Sequence, residues 1–238
     1  MLIIGHRGAP SMAEENTIDS FQAAFTNNVN GIELDVQFSK DNQLVVFHDL
    51  HTNQLNGRQE EIGNYTLNEL QAMKPTIPTL EEVLNIVPLT MELHIEIKSE
   101  KINNKMIVNK IYHLINNYKL NDQVILSSFN PFVLRSIKKN CKNVRIGLLW
   151  TKCPDEPWIV RMMSHKILTY YSYFKLKPYS FHANIQYMTP EIAKWAKRHN
   201  MRLYYYTVNN KNDLERAHIL NADAIFSDYP SILTKQFF

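Results

Sequence analysis

Short apolar strands alternate with helix-forming stretches almost from end to end of this chain, and that rhythm constrains the fold more than any single residue does. Leu2–Ile4 reads as a short buried strand and Gly31–Phe38 as a second. Further strands read at Glu92–Lys98, Val124–Ser128, Arg145–Trp150, Ser180–Gln186, Arg202–Asn209 and Ala222–Ser227. Helix starts stand between them. Ile18, Phe21, Ala24 and Phe25 fall on one face of a helix beginning at about Thr17. Thr79 with Glu82 forms a capping box, in which hydroxyl and carboxylate each satisfy a free backbone donor. Asn130-Pro131 and Thr189-Pro190 pair a cap residue with proline at the first helical position. Asn210 caps Lys211–Leu220, and Asp228 precedes a last helix near Pro230. Strand–helix–strand units join parallel strands by right-handed crossovers. Eight of them in 238 residues predict a (β/α)8 TIM barrel, with a doubly wound open sheet as the competing architecture.

One segment breaks the rhythm. Between the second strand and the Thr79 helix lie about 40 residues with their own strand, Gln43–Phe47, and a small helix opened by a second capping box, Thr66 and Glu69. Ser39-Lys-Asp-Asn42 is a turn cluster, so the chain folds back as a hairpin. A turn centred near Asp41 returns His48 opposite Leu34 or Asp35. Residues 49–76 therefore read as a small insertion over one barrel mouth, within a single domain spanning 1–238.

Composition removes other classes. Glycine is scarce, at 6 of 238, and neither a dinucleotide fingerprint nor a Walker loop is present. The formal charge of +3 is spread along the chain without a basic run, which argues against a nucleic-acid partner. Cys141 and Cys153 have no metal or disulfide spacing and read as buried, reduced thiols, which suits the cytosol. The N-terminus lacks a basic region and a long apolar core, so no signal peptide is expected. No run of 18 apolar residues marks a membrane span. A cytoplasmic protein is expected.

The chemistry gathers where barrel strands end. Active sites of such barrels form at the C-terminal strand ends. The first strand runs into His6-Arg7-Gly8, and Glu33 and Asp35 share one face of the second. The hairpin supplies His48-Asp49, and Glu96 shares a face with Lys98. Like charges buried together are costly unless a cation or shared protons compensate. Glu33, Asp35 and Glu96 thus read as ligands for one hard divalent cation, Mg²⁺ or Ca²⁺. Arg7 and Lys98 make an anion site, and His6 and His48 a general acid and base. Metal, cations and paired histidines point to a phosphoester.

At these residues the sequence resembles the glycerophosphodiester phosphodiesterase family, relatives of phosphatidylinositol-specific phospholipase C. The likeness runs from His6-Arg7-Gly8 to Ser227-Asp228-Tyr229-Pro230. It includes Glu15-Asn16-Thr17, Gly31-Ile-Glu33-Leu-Asp35-Val36, Val45-Val-Phe-His48-Asp49, Ile77-Pro-Thr-Leu80, Ile95-Glu96-Ile-Lys98, Ser128-Phe129 and Tyr206-Thr-Val-Asn209. The resemblance implies metal binding at Glu33, Asp35 and Glu96, acid–base roles for His6 and His48, and phosphate binding by Arg7 and Lys98. It implies attack of the glycerol 2-hydroxyl on phosphorus, then opening of a cyclic phosphate by water, with the roles of the two histidines left open. Glycerol 3-phosphate and an alcohol are the implied products. Runner-up activities are a lysophospholipase D-like hydrolase and a non-catalytic phosphodiester-binding barrel.

Departures from the family pattern fall around the substrate. Glu14 replaces a proline, Asn42 a turn glycine, Tyr206 a tryptophan, and Thr52-Asn-Gln54-Leu stands where an arginine-threonine-threonine stretch is expected. Glu15, Asn16, Ser128, Asn184 and Tyr206 are taken as substrate-pocket residues. His94, His113, His182 and His199 read as core or surface histidines, and Glu92 as an inward residue lower in the barrel. The aromatic and basic stretch Trp158–Phe181 reads as an outer barrel helix in preference to a membrane-surface helix. Gly8 is expected to need special backbone geometry, with a Cβ there obstructing substrate.

Overall fold

A computed structural model describes residues 1–152 and 175–231 of the chain. Its strands are β1 (Leu2–Gly5), β2 (Gly31–Phe38), β3 (Leu44–Val46), β4 (Glu92–Ile97), β5 (Val124–Ser128), β6 (Arg145–Trp150), β7 (Ser180–Asn184), β8 (Arg202–Tyr206) and β9 (Ala224–Ser227). All but β3 run parallel, neighbour to neighbour in chain order, and β1 pairs with both β2 and β9. That double pairing closes the ring of eight parallel strands and removes their edges, leaving β3 as an antiparallel extension on β2. The fold is a (β/α)8 barrel, not the open sheet.

Described helices are α1 (Ile18–Thr26), α2 (Asn53–Asn56), α3 (Leu67–Met73), α4 (Leu80–Leu84), α5 (Lys105–Asn117), α6 (Pro131–Asn140), α7 (Pro190–Arg198) and α8 (Lys211–Ile219). The local start signals are used as their chemistry requires. Thr17 accepts from the Ser20 N–H, and Thr66 and Thr79 complete both capping boxes with Glu69 and Glu82. Asn130, Thr189 and Asn210 accept from Phe132, Ile192 and Asp213 N–H groups. Late strands are shorter than expected. β7 stops at Asn184 because its side chain accepts the Gln186 N–H and turns the chain into a 3₁₀ segment at Ile185–Tyr187. β8 stops at Tyr206, and β9 begins at Ala224 rather than Ala222. Cys153 and most of the stretch expected as an outer helix, 158–174, lie outside the described residues, as does all but the start of a last helix near Pro230.

Two apolar layers result. Outward strand residues such as Ile32, Leu34 and Val36 pack with Phe21 and Ala24 of α1 in a continuous shell between barrel and helices. Inside the ring, Ile4, Ile125, Tyr204, Ala224 and Phe226 form a separate cluster. His94 and His182 complete it. The His182 ring stacks on Tyr204 with centroids 5.1 Å apart, and His94 meets Phe226 edge-on at 5.0 Å. Burial pushes both imidazoles downward in pKa, so they fill the barrel as neutral rings. Gly147 makes room for His182, since a Cβ there would lie 2.5 Å from its Cε1. Below them Glu92 accepts from Arg145 Nη1 at 3.2 Å and from the Tyr204 hydroxyl at 3.1 Å.

The hairpin carries the excursion. Antiparallel partners Val36 with Val46 and Phe38 with Leu44 set a register that, continued, brings His48 level with Leu34. The Phe47 N–H still donates to the Asp35 carbonyl. Asn42 occupies the left-handed turn position at φ 58°. Val45, Phe47, Ile62, Leu70 and Ile77 then bury a small core of their own under 49–76. At about 2 kcal/mol for each fully buried apolar side chain, this core holds the excursion over the mouth.

Candidate active site

The C-terminal strand ends bring the sequence-selected groups together. Glu33 and Asp35 lie on β2, and Glu96 lies on β4 beside them, since Asp35 and Glu96 are register partners. One oxygen from each of the three carboxylates lies within 4.8 Å of the others. Asp35 is 1% exposed and Glu33 7%. Burial and the neighbouring Asp35 and Glu96 charges push Glu33 well above the usual carboxylate range. Burial would also raise Asp35, but the Lys98, His48 and Arg7 charges overcome it and pull its pKa down.

Two half-buried cations answer these carboxylates. Lys98 Nζ lies 3.0 Å from Glu96 Oε1 and 3.6 Å from Asp35 Oδ1. Arg7 Nε lies 3.4 Å from Asp35 Oδ2, and Nη1 donates to Glu15 Oε1 at 2.9 Å. Burial works against both charges, yet the carboxylates around them raise both pKa values. Three carboxylates facing two cations leave one negative charge. A divalent cation with a phosphodiester monoanion would bring that inner set to neutrality. The donor set is all hard oxygen and leaves coordination positions for water and substrate, so it fits Mg²⁺ or Ca²⁺.

The loop after β1 is shaped to present these groups. Arg7 sits at φ 53°, with its N–H donating to Glu33 Oε2 at 3.0 Å and its carbonyl accepting from Ser20 Oγ. Gly8 has φ +93°, as its special geometry requires, but a Cβ there would meet Ser20 Oγ at 2.3 Å. The obstruction is α1, not the substrate. Glu15 and Asn16 stand behind the reacting groups. Glu15 braces Arg7, while Asn16 Nδ2 donates to Asp35 Oδ2 at 2.9 Å and its Oδ1 accepts from the Asp35 N–H. Asn184 and Tyr206 line the mouth. The Tyr206 hydroxyl donates to the Trp150 carbonyl, and its ring meets Phe129 edge-on at 6.3 Å. Ser128 borders an adjoining cavity with its Oγ donating to the Ile97 carbonyl.

Each histidine has a carboxylate behind it. His6 Nδ1 lies 2.7 Å from Asp228 Oδ1, and His48 Nδ1 lies 2.7 Å from Asp49 Oδ1. A nitrogen bonded to a carboxylate carries the proton, which leaves Nε2 of both rings free to accept or deliver one. Asp228 is itself held by Asn209, whose Nδ2 donates to Oδ2 at 2.6 Å and whose Oδ1 accepts from the Asp228 N–H at 2.9 Å. Burial alone would raise Asp228, but the hydrogen bond and charge of His6, with Asn209, pull its pKa down. Gln37 fixes the His48 segment by donating to the Phe47 and Asp49 carbonyls. Sequence reasoning passed over Asp228, Asn209 and Gln37 as site residues. The available signals were the position of Ser227-Asp228 at the end of the strand that closes on β1, and of Gln37 on the Glu33–Asp35 face.

Asp228→Asn is expected to lower kcat about a hundredfold, within the usual range of acid–base contributions, while KM moves little. A matching fall in thermal stability would instead make Asp228 a purely structural anchor. Steady-state kinetics with a melting curve of the same preparation checks this.

Fixed cations beside a hard-oxygen donor set, with two carboxylate-backed imidazoles at the same mouth, suit displacement at the phosphorus of a diester, and this sets the chain among barrel phosphodiesterases. Residues 6–232 match the Glycerophosphoryl diester phosphodiesterase family, and the chain belongs to it. It is 33% identical to a glycerophosphodiester phosphodiesterase of Caldanaerobacter subterraneus subsp. tengcongensis, covering 98% of this chain and 96% of that protein. Among solved structures, the glycerophosphodiester phosphodiesterase of Thermotoga maritima matches with TM-score 0.80 at 25% identity, over 99% and 98% of the two chains. An Oleispira antarctica phosphodiesterase, solved with the product sn-glycerol-3-phosphate, matches with TM-score 0.83 at 22% identity, over 100% and 96%.

Proposed function

We propose that this chain hydrolyses glycerophosphodiesters to glycerol 3-phosphate and an alcohol. The observation that carries the reading is the meeting, at one mouth, of the carboxylate triad, Arg7, Lys98 and two carboxylate-backed imidazoles. The product held by the Oleispira antarctica neighbour supports the same outcome. Glu33, Asp35 and Glu96 would hold Mg²⁺ or Ca²⁺. Such a cation, when bound, supplies positive charge where negative charge develops on phosphate oxygens.

The chain's own residues divide the remaining work. Arg7 and Lys98 hold the phosphate and offset its charge, and their own carboxylate contacts keep both protonated. One imidazole takes the proton of the glycerol 2-hydroxyl as it attacks phosphorus, and the other protonates the departing alcohol. Water then opens the cyclic phosphate with the proton roles exchanged. No nucleophilic serine, cysteine or aspartate is needed for this course. None of the described helices is long and apolar enough to cross a membrane. The Cys141 thiol is free, buried and pushed by that burial to about 12, which fits a reducing cytoplasm.

The test is release of glycerol 3-phosphate from a panel of glycerophosphodiesters by the purified chain, with Mg²⁺ and Ca²⁺ supplied in turn. Turnover of at least one diester is expected. Silence across the panel overturns the reading, and choline release from lysophosphatidylcholine alone would replace it with a lysophospholipase D activity.

A further inference from the structure

Two cavities meet at the reacting groups. One, about 270 Å³, contains His6, Arg7 and Glu33 and reaches Asn184 and Tyr206. The other, about 430 Å³, starts at the same His48, Glu96 and Lys98 and runs out beneath the excursion to Gln54 and Glu100. Phe129 borders both. A diester has two arms on its phosphorus, so a phosphate held at the shared wall directs one arm into each cavity. The three-carbon glycerol arm is common to all glycerophosphodiesters and fits the smaller space, which is built on barrel strands. The alcohol arm, which differs between substrates, falls to the larger.

The larger cavity is lopsided in charge. Its one lysine, Lys98, is occupied by Glu96 and Asp35, its Asp49 is occupied by His48, and its remaining titratable side chains are His51 and Glu100. Glu100 is exposed and has neither an ion pair nor a hydrogen bond among the described residues. Lys101, the next residue, shares the neighbouring groove with Glu100 but does not line this cavity. The half-buried ring of Phe129 adds an aromatic surface. An uncommitted carboxylate and an aromatic face both attract an ammonium group more strongly than an uncharged alcohol, which can offer the carboxylate only a neutral hydrogen bond.

Resting on the glycerophosphodiesterase reading above, we propose that the 430 Å³ cavity receives the alcohol arm and that Glu100 selects alcohols bearing an ammonium group. The preference belongs to this chain's own loop after β4. It acts on which diester is bound productively, and the bonds made and broken at phosphorus stay the same.

The experiment compares kcat/KM of the full chain on glycerophosphoethanolamine and glycerophosphocholine with that on uncharged glycerophosphoglycerol, all read as glycerol 3-phosphate released. The ratio of charged to uncharged substrate is expected to exceed one. It should fall about fivefold in Glu100→Gln, as expected for one partly exposed ion pair, and further in Glu100→Lys. Raising salt from 0.05 to about 0.5 M should shrink the wild-type ratio, because screening acts on the charged arm alone. Loss on both amino alcohols assigns the preference to charge, and loss confined to ethanolamine assigns it to hydrogen bonding by a primary ammonium. A ratio unchanged in both variants, or an equal loss on charged and uncharged substrates, overturns the proposal. Absence of turnover on every diester would instead strike the parent reading.

Discussion

Replacing His6 or His48 with alanine is expected to cut kcat by about 10³-fold or more while leaving the protein folded. Each ring holds its Nδ1 against a carboxylate and offers a free Nε2 beside Lys98, Glu96 and Arg7. The other imidazole lining the smaller cavity, His182, is buried with its Nε2 hydrogen-bonded to Ser180 Oγ. His6 and His48 remain 18% and 32% exposed, so truncation removes little packing and the melting temperature should stay within a few degrees. The pH–rate profile adds a second reading. Losing one proton carrier should flatten one limb of a bell-shaped profile, and the two variants should flatten opposite limbs. That result would also assign acid and base. A variant with near-normal kcat would remove its imidazole from the chemistry.

Stripping divalent cations with a chelator is expected to abolish turnover, with Mg²⁺ or Ca²⁺ restoring it. The triad without a cation holds like charges together, and burial followed by the Asp35 and Glu96 charges raises the Glu33 pKa. Cation binding relieves it only in the folded state, so it must also stabilise the fold. At a hundred times the dissociation constant the gain is about 2.7 kcal/mol. For a chain of this length that corresponds to a rise in melting temperature of roughly 5–10 °C. Asp35→Asn should lose both the restored turnover and most of the thermal increment, because Asp35 is the most buried of the three carboxylates. A chelator-treated protein with full activity would overturn the metal reading. The thermal measurement needs no substrate and separates loss of binding from loss of chemistry.

Much of the site was legible before the structure because its groups sit at predictable places along strands. Glu33 and Asp35 share a face by the two-residue period of a strand, and the turn at Asp41-Asn42 returned His48 to their level by counting. Other partners were not countable. Asp228 reaches His6 across 222 positions, and only the pairing of β9 with β1 brings the two together. Asn209 follows β8 and meets Asp228 for the same reason. Glu15 and Asn16, expected among pocket residues, stand behind Arg7 and Asp35, because the left-handed turns at Arg7 and Asn16 fold the loop back on itself. Gly8 likewise was recognisable as special, but its neighbour is Ser20 on α1.

Sequence alone was enough for what depends on short-range periodicity: eight parallel strands with helices between most of them among the described residues, the capped helix starts, the hairpin register and the residue types a phosphodiester site requires. Each follows from hydrogen-bonding and steric rules acting over a few residues. Ring closure decided the rest. It set which strand ends face one another, joined His6 to Asp228, sorted the mouth into two cavities and, of the histidines read as core or surface, put the His94 and His182 rings together inside the barrel. Those are contacts between distant segments, and no local rule contains them, because their energy exists only once the eighth strand has paired with the first.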